Sequence, residues 1–353
     1  MNIPITQSKA WQKLQDDLDE TSFLKQETGY HYLAILKKTP TGNYLYLPYG
    51  PVAKDKNSFQ SALQSLNTLA KKHQAIFIRI EPQNPNFTKY LPSPAKKSKD
   101  LNPKETWVLD LTGNDNDLKQ KIPSRLLRYY KSAGKKGITI ETSHDPADIH
   151  YLLDLQKALA SEKGISTFSE DYLKTELEQP FATLYLARYC DKDNTDGRSS
   201  WGDPRCVQAT AEHDRGNCEV RPRRDEQPSL ENHEARPHQG EIIAAGLVFD
   251  DKTTRYNLQG AQNEQGRKLH ATGILTIQLI LDAKAKNLQT FDFWGIAPEG
   301  APASHPWAGF TNFKKTFAGY EVGYAGTYDI VLNPAKYRLY RLTRQVNRFI
   351  RKH

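Results

Sequence analysis

The chain has 353 residues and no run of eighteen apolar ones, and its opening MNIPITQSKAW lacks a charged segment followed by an apolar one; a membrane span and a secretory leader are not expected, and a cytoplasmic protein is. Its three cysteines all fall between positions 190 and 218, which argues against a disulfide framework and a cysteine nucleophile. The net charge of +8 is local: Lys119–Lys136 and Asn333–His353 each hold seven Lys or Arg and no acid, leaving −6 for the rest, so two basic surfaces suit an anionic partner such as RNA, a diphosphate or an acidic membrane. In chain order, SKAWQKLQDDL predicts a helix. YHYLAILKK and NYLYLPYGPV alternate apolar and polar residues and predict a hairpin closed by TPTGN. Leu63, Leu66 and Leu69 stand at helical spacing behind a predicted Ser58 cap. AIFIRIEP is a buried strand stopped by Pro82, and the proline-rich stretch up to Pro103 reads as a connecting loop.

A second α/β unit begins at the strand ETWVLDL. The helix after it starts near Pro123, ends at Gly134 and Gly137, and sets Arg125, Arg128, Lys131 and Lys135 on one face. ITIETS is a strand; Asp145 and Pro146 open the next helix, and Ser169 caps SEDYLKTELEQ. The strands ATLYLARY, EIIAAGLVFD and TRYNLQGAQ, the long helix LHATGILTIQLILDAKAKN and the strand TFDFWGI follow. This β-β-β-α-β order after two helices is the layout of a GNAT-type acyltransferase. The tail adds the strands EVGYAG and YDIVLN and a helix with Leu339, Leu342, Val346 and Phe349 on one stripe and Arg341, Arg344, Arg348 and Arg351 on another. Residues 190–239 hold almost no aliphatic side chains and no period, so they read as a disordered insertion in a hairpin turn. Their three Cys and three His lack a C-x-x-C pair, and no zinc site is expected.

No nucleophile elbow, phosphate-binding loop, H-E-x-x-H or dinucleotide fingerprint is present. The segment QNEQGRKLHATG also lacks the Gln/Arg-x-x-Gly-x-Gly/Ala loop usual in acetyl-CoA acyltransferases. Residue types alone favour an ordinary surface role for Lys314 and Lys315 and a core role for Phe310, Phe313 and Phe317.

TWVLDL, RLLRYYKSAGKKGI, FDFWGI and FTNFKKTFAGYEVGYAGTYDIVLN, with LPYGPV ahead of them, resemble in order and spacing the FemABX family of peptidoglycan bridge aminoacyltransferases. The resemblance covers the chain except residues 190–239 and is to members without a coiled-coil arm. It implies an α/β fold of two GNAT-like domains, one of residues 1–104 plus 322–353 and one of 105–321. It implies transfer of an amino acid from an aminoacyl-tRNA to an amine on the stem peptide of a precursor, with no cofactor besides that co-substrate. Lys314 then stabilises the oxyanion and Phe313 packs against the aminoacyl end. Glu81 accepts a proton or binds the stem, or is simply a charge at a strand end. Lys13, or in another register Gln15, binds the precursor. Tyr172 belongs to the precursor site or to the core. Phe168 stands where relatives using a nucleotide-linked (UDP) precursor have arginine, which leaves a lipid-linked precursor open.

The basic stripe Arg125, Arg128, Lys131 and Lys135 would meet tRNA phosphates, and Arg341, Arg344 and Arg348 would meet tRNA or anionic lipid at the inner membrane face. A monomer is expected. A GNAT-type enzyme with another activated donor, and a non-catalytic RNA-binding relative, are the competing readings.

Overall fold

Alternating side chains in the first hundred residues build one sheet, in a computed structural model that describes residues 1, 3–163, 168–191 and 240–350. Its strands are β1 (Thr21–Gln26), β2 (Tyr30–Lys37), β3 (Asn43–Leu47), β4 (Val52–Ala53), β5 (Ala75–Ile80), β6 (Ala95–Lys97) and, from the far end of the chain, β14 (Tyr328–Val331). The order is β1-β2-β3-β5-β14-β6, with β4 paired to β2. The predicted hairpin is β2–β3, Ile35 facing Tyr46. The polar TSFLKQ gave no strand signal, yet it pairs with β2 as β1. Helix α2 (Lys56–Lys72) buries Phe59, Ala62, Leu66 and Ala70 against one face. Its cap is Asp55, whose carboxylate accepts from Ser58 N; Ser58 itself is already the third helical residue.

The other face carries Tyr44 and Phe77, stacked 4.5 Å apart, under α10 (Pro334–Ile350). Neither predicted stripe makes the contact. Leu339 and Leu342 are 51% and 57% exposed, and the helix docks through Tyr337 and Tyr340. The sheet face explains the choice. Arg79 forks onto Asp329 at 2.7 and 2.8 Å, both groups buried. Tyr337 Oη donates to Asp329 at 2.9 Å and Tyr340 Oη accepts from Arg79 at 3.5 Å. Hydroxyl-bearing rings complete this buried pair, which leucine could not do.

The second sheet runs β13-β7-β12-β11-β10-β9-β8. Its strands are β7 (Glu105–Asp110), β8 (Ile138–Ser143), β9 (Ala182–Tyr189), β10 (Glu241–Asp250), β11 (Thr254–Gln262), β12 (Thr290–Gly295) and β13 (Tyr320–Gly323). Tyr320 pairs with Val108, so EVGYAG belongs to this sheet, and only β14 of the two C-terminal strands joins the first. Two short helices that the sequence did not announce precede two predicted ones. Pro123 separates α3 (Asp115–Lys121) from α4 (Ser124–Ser132), and His270, at φ 60°, separates α7 (Glu264–Leu269) from α8 (Ala271–Ala285). These pack on one face; α5 (Ile149–Lys163) and α6 (Glu170–Leu177) pack on the other. β9 and β10 form the expected hairpin, Tyr189 opposite Glu241. The insertion between them lies, from 192 to 239, outside the described residues.

The core beneath α5 and α6 is shared. Ile5, Leu33 and, from α1 (Lys9–Asp17), Trp11 and Leu14 pack with Leu152, Leu173 and Phe249 of the second half.

Candidate active site

β11 and β12 run parallel for only three pairs, from Thr254–Thr290 to Tyr256–Asp292, and then diverge. A cavity of about 1310 Å³ opens at this split. Residues 257–262 of β11 and 293–295 of β12 form its floor, while Ile35, Lys37 and Tyr46 of the first sheet face them. Short helix α9 (Ala308–Lys314) supplies Phe310, Phe313 and Lys314 to the wall. Thr311 Oγ1 anchors α9 by accepting from Ala297 N at 2.8 Å.

Lys314 is half-buried and its Nζ donates to Gly295 O at 2.6 Å. That carbonyl is offered by an irregular strand end. The β12–β7 register shifts between Asp292 and Gly295, and Trp294 adopts φ 66°, a costly conformation for a bulky residue. Asp292 Oδ1 holds the bulge by accepting from Trp294 N at 2.7 Å. At Gly295 a Cβ would meet Pro103 at 2.6 Å, so no larger residue fits the turn. Burial pushes the Asp292 carboxyl up to about 7, against the backbone hydrogen bond and the Lys314 charge. Burial likewise pulls the Lys314 ammonium down to about 8, against the Asp292 charge. A buried cation thus faces the cavity with a carboxylate behind it. FDFWG, an acid inside an apolar strand, was the signal for Asp292 in the sequence.

The other phenylalanines divide by role. Phe313 and Phe310 line the cavity, whereas Phe317 is fully buried and packs on Phe293 at 4.8 Å. Lys315 lies outside, 5.4 Å over the Trp107 ring and 3.5 Å from Glu321.

Two expected roles are corrected. Glu81 is 3% exposed and does not line the cavity. Its carboxylate already accepts from Tyr46 Oη, Tyr49 N, Asn102 N, Asn102 Nδ2 and Thr327 Oγ1. With its lone pairs taken it orients Tyr46 and Asn102, which do reach the cavity, rather than accepting a proton from an amine. Lys13 is 65% exposed, pairs with Asp17 at 2.7 Å, and turns away from the cavity. Trp11 and Gln15, one turn apart on the inner side of α1, line it instead.

Phe168 and Tyr172 both line the cavity and stack at 5.1 Å. Next to them Glu176, unremarked in the sequence, lines the same wall, and burial pushes its carboxyl up to about 8 despite a hydrogen bond with Tyr172. Arg125, Arg128, Lys131 and Lys135 are exposed and do not line the cavity, whereas Leu126, on the other side of α4, does; Arg125 reaches toward the cavity mouth through Tyr129, whose Oη accepts from its Nε at 2.7 Å. His270, stacked 4.1 Å from Tyr129, lies at that mouth; burial, then the Arg125 and Lys136 charges, lower its basicity. Arg341 and Arg344 are exposed on α10, far from these groups in the chain; the Arg348 side chain is outside the described residues. Among the described residues no group of three or more His, Cys, Asp or Glu is placed to hold a metal ion.

Two GNAT-like α/β halves facing each other across a split-strand cavity, with a buried lysine on its wall, define a two-domain N-acyltransferase fold. The FemAB family model matches residues 89–345, and the chain belongs to that family. The lipid II:glycine glycyltransferase of Staphylococcus aureus (strain USA300) is 22% identical over 344 residues, covering 86% of this chain and 81% of that protein. The crystal structure of FemX superposes with a TM-score of 0.70 at 17% identity, over 95% of this chain and 94% of FemX. L-PGS from Bacillus licheniformis follows at 0.51 and 14% identity, over 99% of both chains. These structures share the fold.

Proposed function

We propose that the protein moves an amino acid from an aminoacyl-tRNA to an amine on the stem peptide of a lipid-linked peptidoglycan precursor, building the cross-bridge. The observation that carries this reading is Lys314, a half-buried ammonium fixed by Gly295 O on the wall of a cavity between the two halves. The amine nitrogen attacks the ester carbonyl carbon and a tetrahedral oxyanion forms. Lys314 stabilises that oxygen in a site where screening by water is weak. The C–O ester bond then breaks, the ribose oxygen leaves with the proton given up by the amine, and an amide remains. The ester is already activated, so no covalent enzyme intermediate is needed. Phe313 excludes water beside the reacting carbonyl.

Three features support the choice of substrates. Arg125, bonded to Tyr129 and through it beside cavity-lining His270, belongs to an exposed basic face of α4 where phosphate contacts would position tRNA. Phe168 offers no cation to a nucleotide diphosphate, and the S. aureus relative is named for lipid II. The start of α8, where helix amides would cradle the diphosphate of an acyl-CoA, is preceded by α7, and Thr272 N donates to Gln262 Oε1 at 3.3 Å. We place the protein as a monomer in peripheral contact with the inner face of the plasma membrane. No helix of the described residues is long and apolar enough to cross one.

Incubation with mixed charged tRNAs and with lipid-linked and nucleotide-linked precursors, followed by mass analysis, tests the reading. Aminoacylated lipid-linked product is expected, and Lys314→Met should lower its rate about a hundred- to a thousandfold with tRNA binding intact. Unchanged turnover in that variant, or transfer from an acyl-CoA instead, would overturn it.

A further inference from the structure

The face of α10 turned away from the protein is apolar at its centre and basic at its edges. Tyr337 and Tyr340 dock the helix, and at about 100° per residue Leu339 and Leu342 lie roughly 160° around from that docking edge. Lys336 and Arg338 are exposed on either side of the two leucines, with Arg341 exposed farther round; Arg344 lies on the docking side, donating to Tyr340 Oη at 2.9 Å; and the chain from 333 to 353 contains no acid. Two neighbouring leucines on the outermost line of a helix, bordered by cations, are the pattern of a helix lying in the plane of a bilayer surface. The charge fits anionic lipid. The position fits as well, because α10 covers Tyr44 at 5.7 Å, Tyr44 pairs with Lys37, and Lys37 lines the cavity.

We infer that α10 is an in-plane membrane anchor whose leucines enter the acyl boundary of an anionic bilayer while its arginines meet lipid phosphates. The benefit to the enzyme rests on the proposed lipid-linked acceptor, but the binding can be measured without it. Flotation of the full chain with phosphatidylglycerol-containing vesicles and with pure phosphatidylcholine vesicles is the experiment. Binding to the anionic vesicles and little to the neutral ones is expected. Leu339→Gln with Leu342→Gln should weaken binding about tenfold or more, and Arg338→Gln about fivefold at low salt. Turnover of the leucine variant on a detergent-dispersed precursor should stay within about twofold of the parent, while turnover on vesicle-borne precursor falls with binding. Equal vesicle binding by parent and leucine variant would overturn the inference. So would loss of tRNA binding in place of vesicle binding, or a parent dimer that the substitutions dissociate in sedimentation velocity. Vesicle binding without any aminoacyl transfer would leave the anchor standing and refute the reaction instead.

Discussion

Lys314 and Asp292 are held within a medium that disfavours both charges, and each favours the charge of the other. Between about pH 7 and pH 8 both are ionised, and above about 8 the ammonium is lost. The protonated lysine is the form that stabilises an oxyanion, so turnover should fall as pH rises through about 8. Asp292→Asn removes the carboxylate that raises the basicity of Lys314, so this alkaline limb should move to lower pH. Lys314→Arg keeps its charge throughout and should abolish the limb in whatever activity remains. Rate against pH for the three proteins checks this; limbs that coincide would show that Lys314 does not titrate in the reaction. The family resemblance pointed to Lys314 ahead of Lys315 through the order FTNFKK after FDFWGI, a chain property, and of the two Lys314 is the one that lines the cavity. That Glu81 lies off the cavity and Lys13 on the outer side of α1 was not legible, since saturation of a carboxylate by donors from four residues and the side of α1 that faces inward are properties of the fold.

At the scale of elements, strands announced themselves by an alternating half-buried pattern, as in β3, or by an apolar run buried on both faces, as in β2 and β10. β1 did not, for its residues are half-exposed on both faces. The helices starting at 124 and 271 were read close to their observed starts, but the short α3 and α7 ahead of them were not, because one or two turns carry too little periodicity to register. The apolar stripe of α10 was visible, but its direction was not: which stripe faces inward depends on the buried Arg79–Asp329 pair, whose partners are 250 residues apart. The β9–β10 hairpin yields a further prediction. Its strands pair through to Tyr189 and Glu241, and Cys190 N is bonded to Gly137 O, so the register is set before the connection begins. Replacing residues 192–239 by a short Gly-Asn turn should leave the melting temperature within a few degrees and turnover within about twofold, because loop length itself costs little. A loss of the folded state on this replacement, read by circular dichroism, would show that the segment contributes to the core.

The molecule as a whole has two sheets, each with a core of its own, and a further cluster that both halves share. Trp11 of the first half sits 6.4 Å from Phe181 and 6.1 Å from Phe249 of the second, and Ile5, Leu14 and Leu33 extend the same cluster. Calorimetry should therefore record one transition for both halves. Trp11→Ala should lower its midpoint by removing about 3–5 kcal/mol of packing. Two resolved transitions, with only one displaced by the substitution, would show that the halves are independent. That indole also forms part of the wall of the cavity. One indole thus serves both cohesion and contour: a change that loosens the seam between the halves also reshapes the chamber beside it.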